Sequence, residues 1–444
     1  MQCSAWLFHP GLLSRMRTIT LFEYSVPEKG EERELLRRMQ SKLQKINRIV
    51  KATVFEPTWD SVRAQNYVGI LTVDKTTIQI LPKIYKSADE SQRVEEATKN
   101  LLFMLSFTKR LKLRETGLSM LKKDQSSLYE VIVYLFAKNL LETLKKNYRR
   151  DYERREEDLN FVKGKILLSK QVRRCIHDKV FCSYYELNED ILLNRILKYV
   201  CHLLASRVRG RENWTLIQNI LSIFDGVSLR PIRLSDFDRV RFNRLNEDYE
   251  PFISLARLFL ENASLELQSS RFRTFSLLFD MNVLFEEFIG EFLKKYGGEI
   301  LDKTEFSGCR VQLQKGVKWL VEEPRSFKLI PDIILSDGEI KLIIDTKYKI
   351  LDSRMPHFGV SQSDIYQMFA YARKYGCGKI VLLYPWSENL GDSPKTDILQ
   401  VYRFDENSRL YIAVVNLRRD LRTNEELENL KAEFGNLMQR ISEE

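Results

Sequence analysis

The chain has 444 residues, of which 44% are apolar, 11% aromatic and 30% charged, and Lys plus Arg (71) outnumber Asp plus Glu (61). This composition excludes wholesale disorder, a fibrous repeat and a small disulfide-stapled scaffold, and the length fits roughly two or three domains. A net charge of +10 fits a phosphate-rich partner, although much of the charge is self-compensated.

The six cysteines (Cys3, Cys175, Cys182, Cys201, Cys309, Cys377) form no CxxC pair, and the four histidines (His9, His177, His202, His357) are scattered, so no thiolate or imidazole metal site is expected. No run reaches the ~18–20 apolar residues of a spanning helix. Residues 1–15 lack an early basic residue and are broken by His9-Pro10-Gly11, which makes a poor signal peptide. Residues 1–17 are expected to be a disordered leader, and the expected location is the cytoplasm, with reduced thiols.

Alternation from Thr18 to Tyr24 predicts a strand, and 28–50 predict an amphipathic helix. Residues 67–85, YVGILTVDKTTIQILPKIY, read as a β-hairpin with a polar tip at Asp74–Thr77. Residues 94–149 read as helical, closed by the charge run YRRDYERREED, which is expected to be a solvated linker or helix face, or else a surface for nucleic acid or a partner. NFVKGKILLSKQVRR and KVFCSYYEL follow as strands or extended arms, then three helices: NEDILLNRILKYVCHLLASR, RENWTLIQNILSIF and NEDYEPFISLARLFLENA. Beyond 263 come a helix (279–296) ending at Gly297-Gly298, a strand (310–321), a hairpin (329–349), a helix (362–375), a strand (379–385) and a strand pair (398–417). The expected fold class is therefore an α+β N-terminal part (18–160), a helical middle region (161–262) and an α/β domain with a mixed central sheet (263–444).

The chemistry concentrates in LIPDIILSDGEIKLIIDTKYK. Asp337-Gly338 between two apolar runs predicts a two-residue hairpin turn. The two-residue period places Lys341, Ile343, Asp345 and Lys347 on one face of the second strand, and pairing around the turn brings Asp332 close to the level of Asp345. A lone D-x-K is ordinarily an ion pair at a sheet edge. In a strand this rich in Ile and Leu, however, charges are costly unless paired or metal-bound. Two carboxylates suit a hard cation such as Mg²⁺, and a lysine beside them can orient a nucleophile or steady charge on a phosphate. Two helices complete the set. In FDMNVLFEEFIGEFLKKY, Glu286 turns inward while Glu287 shares a solvated stripe with Glu291 and Lys294; in SDIYQMFAYARKYG, Gln367 and Tyr371 lie i, i+4 on one face.

This ordering resembles the PD-(D/E)XK nuclease superfamily in its Q-x-x-x-Y form and, more narrowly, the McrC family of McrBC modification-dependent restriction systems. The resemblance rests on FDMNVLFEEF, LIPDIIL with IIDTKYK, and SDIYQMFAYA, together with NFVKGKI, NEDILLNRILKYV, RLNEDYEPF and the 67–85 hairpin, and it spans about residues 18 to 417. Extra helical material separates that hairpin from NFVKGKI, compared with compact members.

The resemblance implies a Mg²⁺-dependent DNA endonuclease subunit, with Mn²⁺ as the alternative ion. Its partners would be a McrB-like hexameric AAA+ GTPase, which binds the GTP, and double-stranded DNA with modified cytosine; no membrane is implied. The N-terminal region would dock in the ring and stimulate GTP hydrolysis. By the same resemblance, Asp332 and Asp345 are metal ligands, Lys347 is the catalytic lysine, Glu286 is the acidic residue of the first helix and a further ligand, and Gln367 and Tyr371 support the site and the DNA strand. Tyr348 and Lys349 continue the motif without an assigned role.

No GxxxxGK[ST] is present: Gly376-Cys377-Gly378-Lys379 lacks the upstream glycine and the hydroxyl, so GTP binding by this chain is not expected. No GxSxG occurs either. The competing readings are an independent repair-type nuclease of the same superfamily and a non-catalytic GTPase-activating adaptor.

Overall fold

A computed structural model describes residues 17–74, 76–83, 90–108, 128–174, 178–208, 210–268, 274–391, 393–419 and 423–443. The expected leader lies almost wholly outside the described residues, as does the stretch 109–127 of the expected helical segment. Contacts divide the chain into two compact units, residues 1–122 with 262–444 and residues 123–261.

The first unit opens with β1 (Arg17–Phe22), α1 (Gly30–Val50), the short strands β2 (Phe55–Pro57) and β3 (Val62–Ala64), then β4 (Tyr67–Val73), β5 (Thr76–Leu81) and α2 (Glu90–Phe107). The β4–β5 hairpin turns where Val73 faces Thr76, and Asp74 there adopts the left-handed backbone (φ 54°) that tight hairpins demand. Leu36, Met39, Leu43 and Ile46 recur at helical spacing along α1. They form one buried stripe packed with Ile19, Leu21, Leu71, Val73, Ile78 and Ile80 of the sheet.

The second unit contains α3 (Leu128–Lys146), β6 (Asp151–Leu159), β7 (Lys165–Ile166), α4 (Leu168–Arg174), β8 (Val180–Asn188), α5 (Leu192–Ala205), α6 (Arg211–Ile223), α7 (Leu234–Phe237) and most of α8 (Glu250–Gln268). Phe136 of α3 meets Phe252 and Phe259 of α8 edge-on, and Asn213 of α6 bonds both the backbone and side chain of Glu130. The charge run is neither linker nor helix: its residues 151–158 form most of the strand β6, paired along its length with β8. Cross-strand contacts such as Arg155–Glu186 (3.1 Å) and Asn188–Glu153 (2.7 Å) hold it, in place of apolar alternation.

The chain then returns to the first unit with β9 (Thr274–Asp280), which pairs antiparallel with β4 and completes a four-stranded sheet in the order β1-β5-β4-β9. Next come α9 (Met281–Ile300), β10 (Arg310–Leu313), β11 (Lys318–Val321), β12 (Ser326–Leu329), β13 (Ile333–Ser336), β14 (Ile340–Thr346), α10 (Gln362–Tyr375), β15 (Lys379–Pro385), β16 (Asp397–Arg403), β17 (Arg409–Val415) and α11 (Asn424–Glu443). A six-stranded mixed sheet runs β10-β13-β14-β15-β17-β16, parallel through β14, β15 and β17 and antiparallel at both margins. On one face, Met368, Tyr371 and Ala372 of α10 pack over Ile343, Ile380, Leu382 and Ile412.

Three local expectations change. The helix does not stop at Gly297-Gly298; α9 runs on to Ile300, and Gly297 packs closely on β10, where a Cβ would meet the Val311 side chain at 3.3 Å. The single strand expected over 310–321 is two strands in different sheets, broken around Gly316 at φ 75°. The β13–β14 turn has three residues, not two: Ser336 pairs with Ile340 across a register irregularity, and Asp337 N–H bonds the Glu339 carbonyl.

Candidate active site

The residues singled out from the sequence meet at the end of β14. Ile333 pairs with Ile344, so Asp332 stands opposite Asp345 where β13 begins. Beyond the strand, Lys347 N–H donates to the Leu383 carbonyl (2.9 Å), carrying the pairing with β15 past the motif and fixing the lysine's backbone.

Asp345 is 1% exposed, and its Oδ2 forms an ion pair with Lys347 Nζ. Asp332 Oδ2 accepts from both the N–H and the hydroxyl of Thr346, each at 2.8 Å. Glu286 enters from α9 and accepts from Gln314 Nε2 at 2.5 Å. Glu286 and Glu287 are both half-buried, and Glu286 senses the charges of Asp332 and Lys347. From α10, Gln367 Nε2 donates to the Tyr371 hydroxyl (2.8 Å), which donates to the Ile330 carbonyl (3.0 Å), two residues before Asp332.

The electrostatics show an excess of negative charge. Burial pushes Asp345 above the usual carboxylate range, the Asp332 charge adds to it, and Lys347 only partly opposes. Asp332 is raised by burial against the Thr346 hydrogen bonds. Glu286 is raised by burial and then by Asp332. Burial opposes the Lys347 ammonium most, but Asp345, Asp332 and Asp364 together outweigh it and the net shift is upward. Burial, followed by the charge of Asp345, drives the Tyr371 phenol up.

Among the described residues no three His, Cys, Asp or Glu groups converge tightly enough to cage an ion. The donor set fits a different kind of binding. Mg²⁺ takes one or two carboxylates and leaves its other positions to water and phosphate oxygens, and one buried and one half-buried acid with a single lysine beside them leave uncompensated charge for a cation.

Sequence reasoning missed Thr346, Gln314 and Glu23. Thr346 sits inside the D-T-K triplet, where its hydroxyl was a readable signal. Gln314 and Glu23 carry none, since long-range folding alone brings them to the motif. Lys349 and Tyr348 acquire partners: Lys349 Nζ bonds Asp364 at 2.7 Å, and the Tyr348 hydroxyl bonds Glu23 at 3.0 Å.

Comparison with known proteins gives the chain a family. A family model described as the McrBC 5-methylcytosine restriction system component matches residues 62–385. The type IV methyl-directed restriction enzyme EcoKMcrBC of Escherichia coli (strain K12) is 23% identical over 260 residues, 55% of this chain and 72% of that protein. A chain of a half-complex from the tetradecameric assembly of Thermococcus gammatolerans McrB AAA+ hexamers with bound McrC shares the fold, at TM-score 0.66 and 24% identity over 93% of this chain and all of that one. A chain of the T. gammatolerans McrBC complex gives TM-score 0.50 and 28% identity over 62% of this chain and 87% of that one.

The family match defines a restriction-system component, built here on mixed α+β sheets. The chain belongs to the McrBC 5-methylcytosine restriction system component family, and the McrC resemblance read from its motifs stands. Among the described residues no helix is long and apolar enough to cross a membrane.

Proposed function

We propose that this chain is the Mg²⁺-dependent DNA endonuclease subunit of a McrBC-like restriction complex, with a PD-(D/E)XK domain in residues 263–444. The observation that carries the reading is the pairing of half-buried Asp332 with buried Asp345 beside Lys347 at the end of β14. Asp332 and Asp345 would hold the ion, with Glu286 as the third carboxylate from α9. When bound, the ion supplies positive charge for the scissile phosphate and acidity for the attacking water. Thr346 keeps the Asp332 carboxylate turned to the site through two hydrogen bonds. Lys347, paired with Asp345 and 21% exposed, is placed to orient the water or steady charge on the phosphate. Gln367 and Tyr371 fix the segment entering Asp332.

The partner in this reading is a McrB-like AAA+ GTPase hexamer in the cytoplasm. The region 18–160 docks on it and raises its GTP turnover, and the DNA substrate is a duplex with modified cytosine. The test mixes the full chain with its cognate GTPase, GTP, Mg²⁺ and modified duplex. GTP turnover should rise and the DNA should be cut, and Asp345→Ala should abolish cutting while leaving GTPase stimulation intact. Cutting by Asp345→Ala at the wild-type rate would overturn the site, and robust cutting without the GTPase would favour an independent nuclease.

A further inference from the structure

The strands β11 and β12 form a two-stranded sheet of their own, paired Lys318–Leu329, Trp319–Lys328 and Val321–Ser326. Isolated hairpins are marginal in water unless something else holds them. Here α10 does so at the base, where Tyr375 donates to the Leu329 carbonyl (2.7 Å), accepts from Lys318 N–H (3.2 Å) and Lys318 Nζ bonds the Lys374 carbonyl (2.7 Å), and through a single ion pair from Lys374 to Glu322 at the turn. The rest of the arm is largely exposed. Phe327, whose backbone is left-handed at φ 57°, leaves its ring 72% exposed, a costly arrangement for a bulky residue. Lys328 lies over the Trp319 ring, 5.4 Å from its centroid.

The arm's charge selects its occupant. Lys315, Lys318, Arg325 and Lys328 face only two carboxylates, Glu322 and Glu323, and Glu322 is engaged by Lys374 at 3.1 Å. Lys315, Arg325 and Lys328 have no carboxylate partner among the described residues. Its exit strand leads through Ile330 and Pro331 straight to Asp332, and Tyr371, beside the carboxylates, grips the Ile330 carbonyl.

We propose that the β11–β12 hairpin is a DNA-binding arm: its free cations contact duplex phosphates beside the scissile bond, and Phe327 packs into a groove. This rests on the nuclease reading for the substrate and goes beyond it in assigning the contact. Phosphate contacts position a protein on DNA and make binding salt-dependent, while apolar side chains wedge into grooves. A second copy of this chain is the less favoured occupant, because self-pairing would bring like charges together.

The test uses the full chain assembled with its GTPase, bound to a fluorescein-labelled modified duplex in EDTA, so that affinity is read without cleavage. The variant Lys315→Ala/Arg325→Ala/Lys328→Ala should bind at least tenfold more weakly, and its slope of log affinity against log salt should be shallower by about 0.9 for each phosphate no longer neutralised. Phe327→Ala should weaken binding at an unchanged slope. Both variants should keep the wild-type melting temperature and GTPase stimulation. Wild-type affinity and slope in the triple variant would overturn the proposal, as would unchanged DNA affinity accompanied by a loss of self-association in light scattering. Failure of the nuclease reading is visible separately, as wild-type protein that binds DNA but never cuts it with Mg²⁺.

Discussion

The hydroxyl of Tyr348 donates to Glu23 across 3.0 Å, fastening the residue after Lys347 to the end of the first strand, 325 positions away in sequence. Glu23 also accepts from the Lys83 N–H at 3.1 Å. The Lys83 ammonium lies over the Tyr348 ring, 4.7 Å from its centroid, and that ring packs on Phe285, the neighbour of Glu286. Two residues of the candidate site are thus backed by one buried cluster rooted in the N-terminal sheet.

Burial raises Glu23 from its ordinary 4.5 to about 7, with Lys83 opposing. A carboxyl whose folded pKa is raised favours folding fully below its unfolded value and loses that contribution as pH climbs through the folded value. The loss therefore falls between 4.5 and about 7, on the order of 3 kcal/mol at about 1.4 per unit. Glu23→Gln removes the titration and keeps an acceptor for Tyr348. Its melting temperature relative to wild type should rise between about pH 5 and about pH 8. A difference that is flat with pH would show that Glu23 ionises at the same pH in the folded and unfolded chain, without the upward shift.

Asp345→Asn should abolish cleavage and yet stabilise the metal-free chain. Asp345 is raised by burial and by Asp332, so its charge costs folding energy at neutral pH when no cation is bound. In EDTA at about pH 8 the variant should melt above wild type, and Mg²⁺ should raise the wild-type melting temperature more than the variant's. Equal Mg²⁺ effects on the two proteins would place the ion elsewhere.

The D-x-K chemistry was legible because it is local: a strand period and a turn bring Asp332 near Asp345, although the exact pairing is set by the three-residue turn and the register irregularity at Leu335/Ser336. The amphipathic stripe of α1 was legible for the same reason. Features set by distant pairing were not. β6 has charges on both faces and no apolar alternation, so only its partner β8 makes it a strand. Gly297 reads as a helix stop until Val311 is seen beside it, where the missing side chain serves close packing. Thr346 was visible, but its role depends on where Asp332 points.

Glu286→Gln should lower cleavage at least tenfold, and Glu287→Gln should stay near wild type. Both side chains are half-buried, but Glu286 is held by Gln314 and coupled to Asp332. Gln314→Ala should produce an intermediate loss by freeing the carboxylate. Single-turnover cleavage rates at saturating Mg²⁺ would rank the three, and a larger loss for Glu287 would mean the helix presents the other glutamate.

Tyr371→Phe keeps the ring that packs in the sheet core but deletes the hydroxyl linking Gln367 to the Ile330 carbonyl. A buried hydrogen bond of this kind contributes about 1 kcal/mol net, so the melting temperature should fall by only a few degrees. Cleavage should fall further, by about tenfold or more, because small displacements of a catalytic group are amplified in rate. Proportionate losses in stability and rate would reduce Tyr371 to a packing residue.

The last prediction concerns where the chain can be cut. Ending it at 262 separates the region proposed to dock on the GTPase from the proposed nuclease, but it also removes β9. That strand pairs with β4 from Tyr67–Asp280 through Val73–Thr274, and Asn66 bonds Asp280 at 3.0 Å. Without β9, β4 becomes an edge with exposed ladder groups, a template for self-association. A 1–262 fragment should therefore elute as aggregates and melt without a sharp transition. A 123–268 fragment should melt cooperatively, because its helices and its β6-β8-β7 sheet close a core of their own. Size-exclusion chromatography and circular dichroism melts of both fragments decide this. A monomeric, cooperative 1–262 fragment would show that β9 is dispensable. Aggregation would mean that the docking role is best assayed on the full chain carrying Asp345→Asn, which silences the proposed nuclease and leaves both sheets whole.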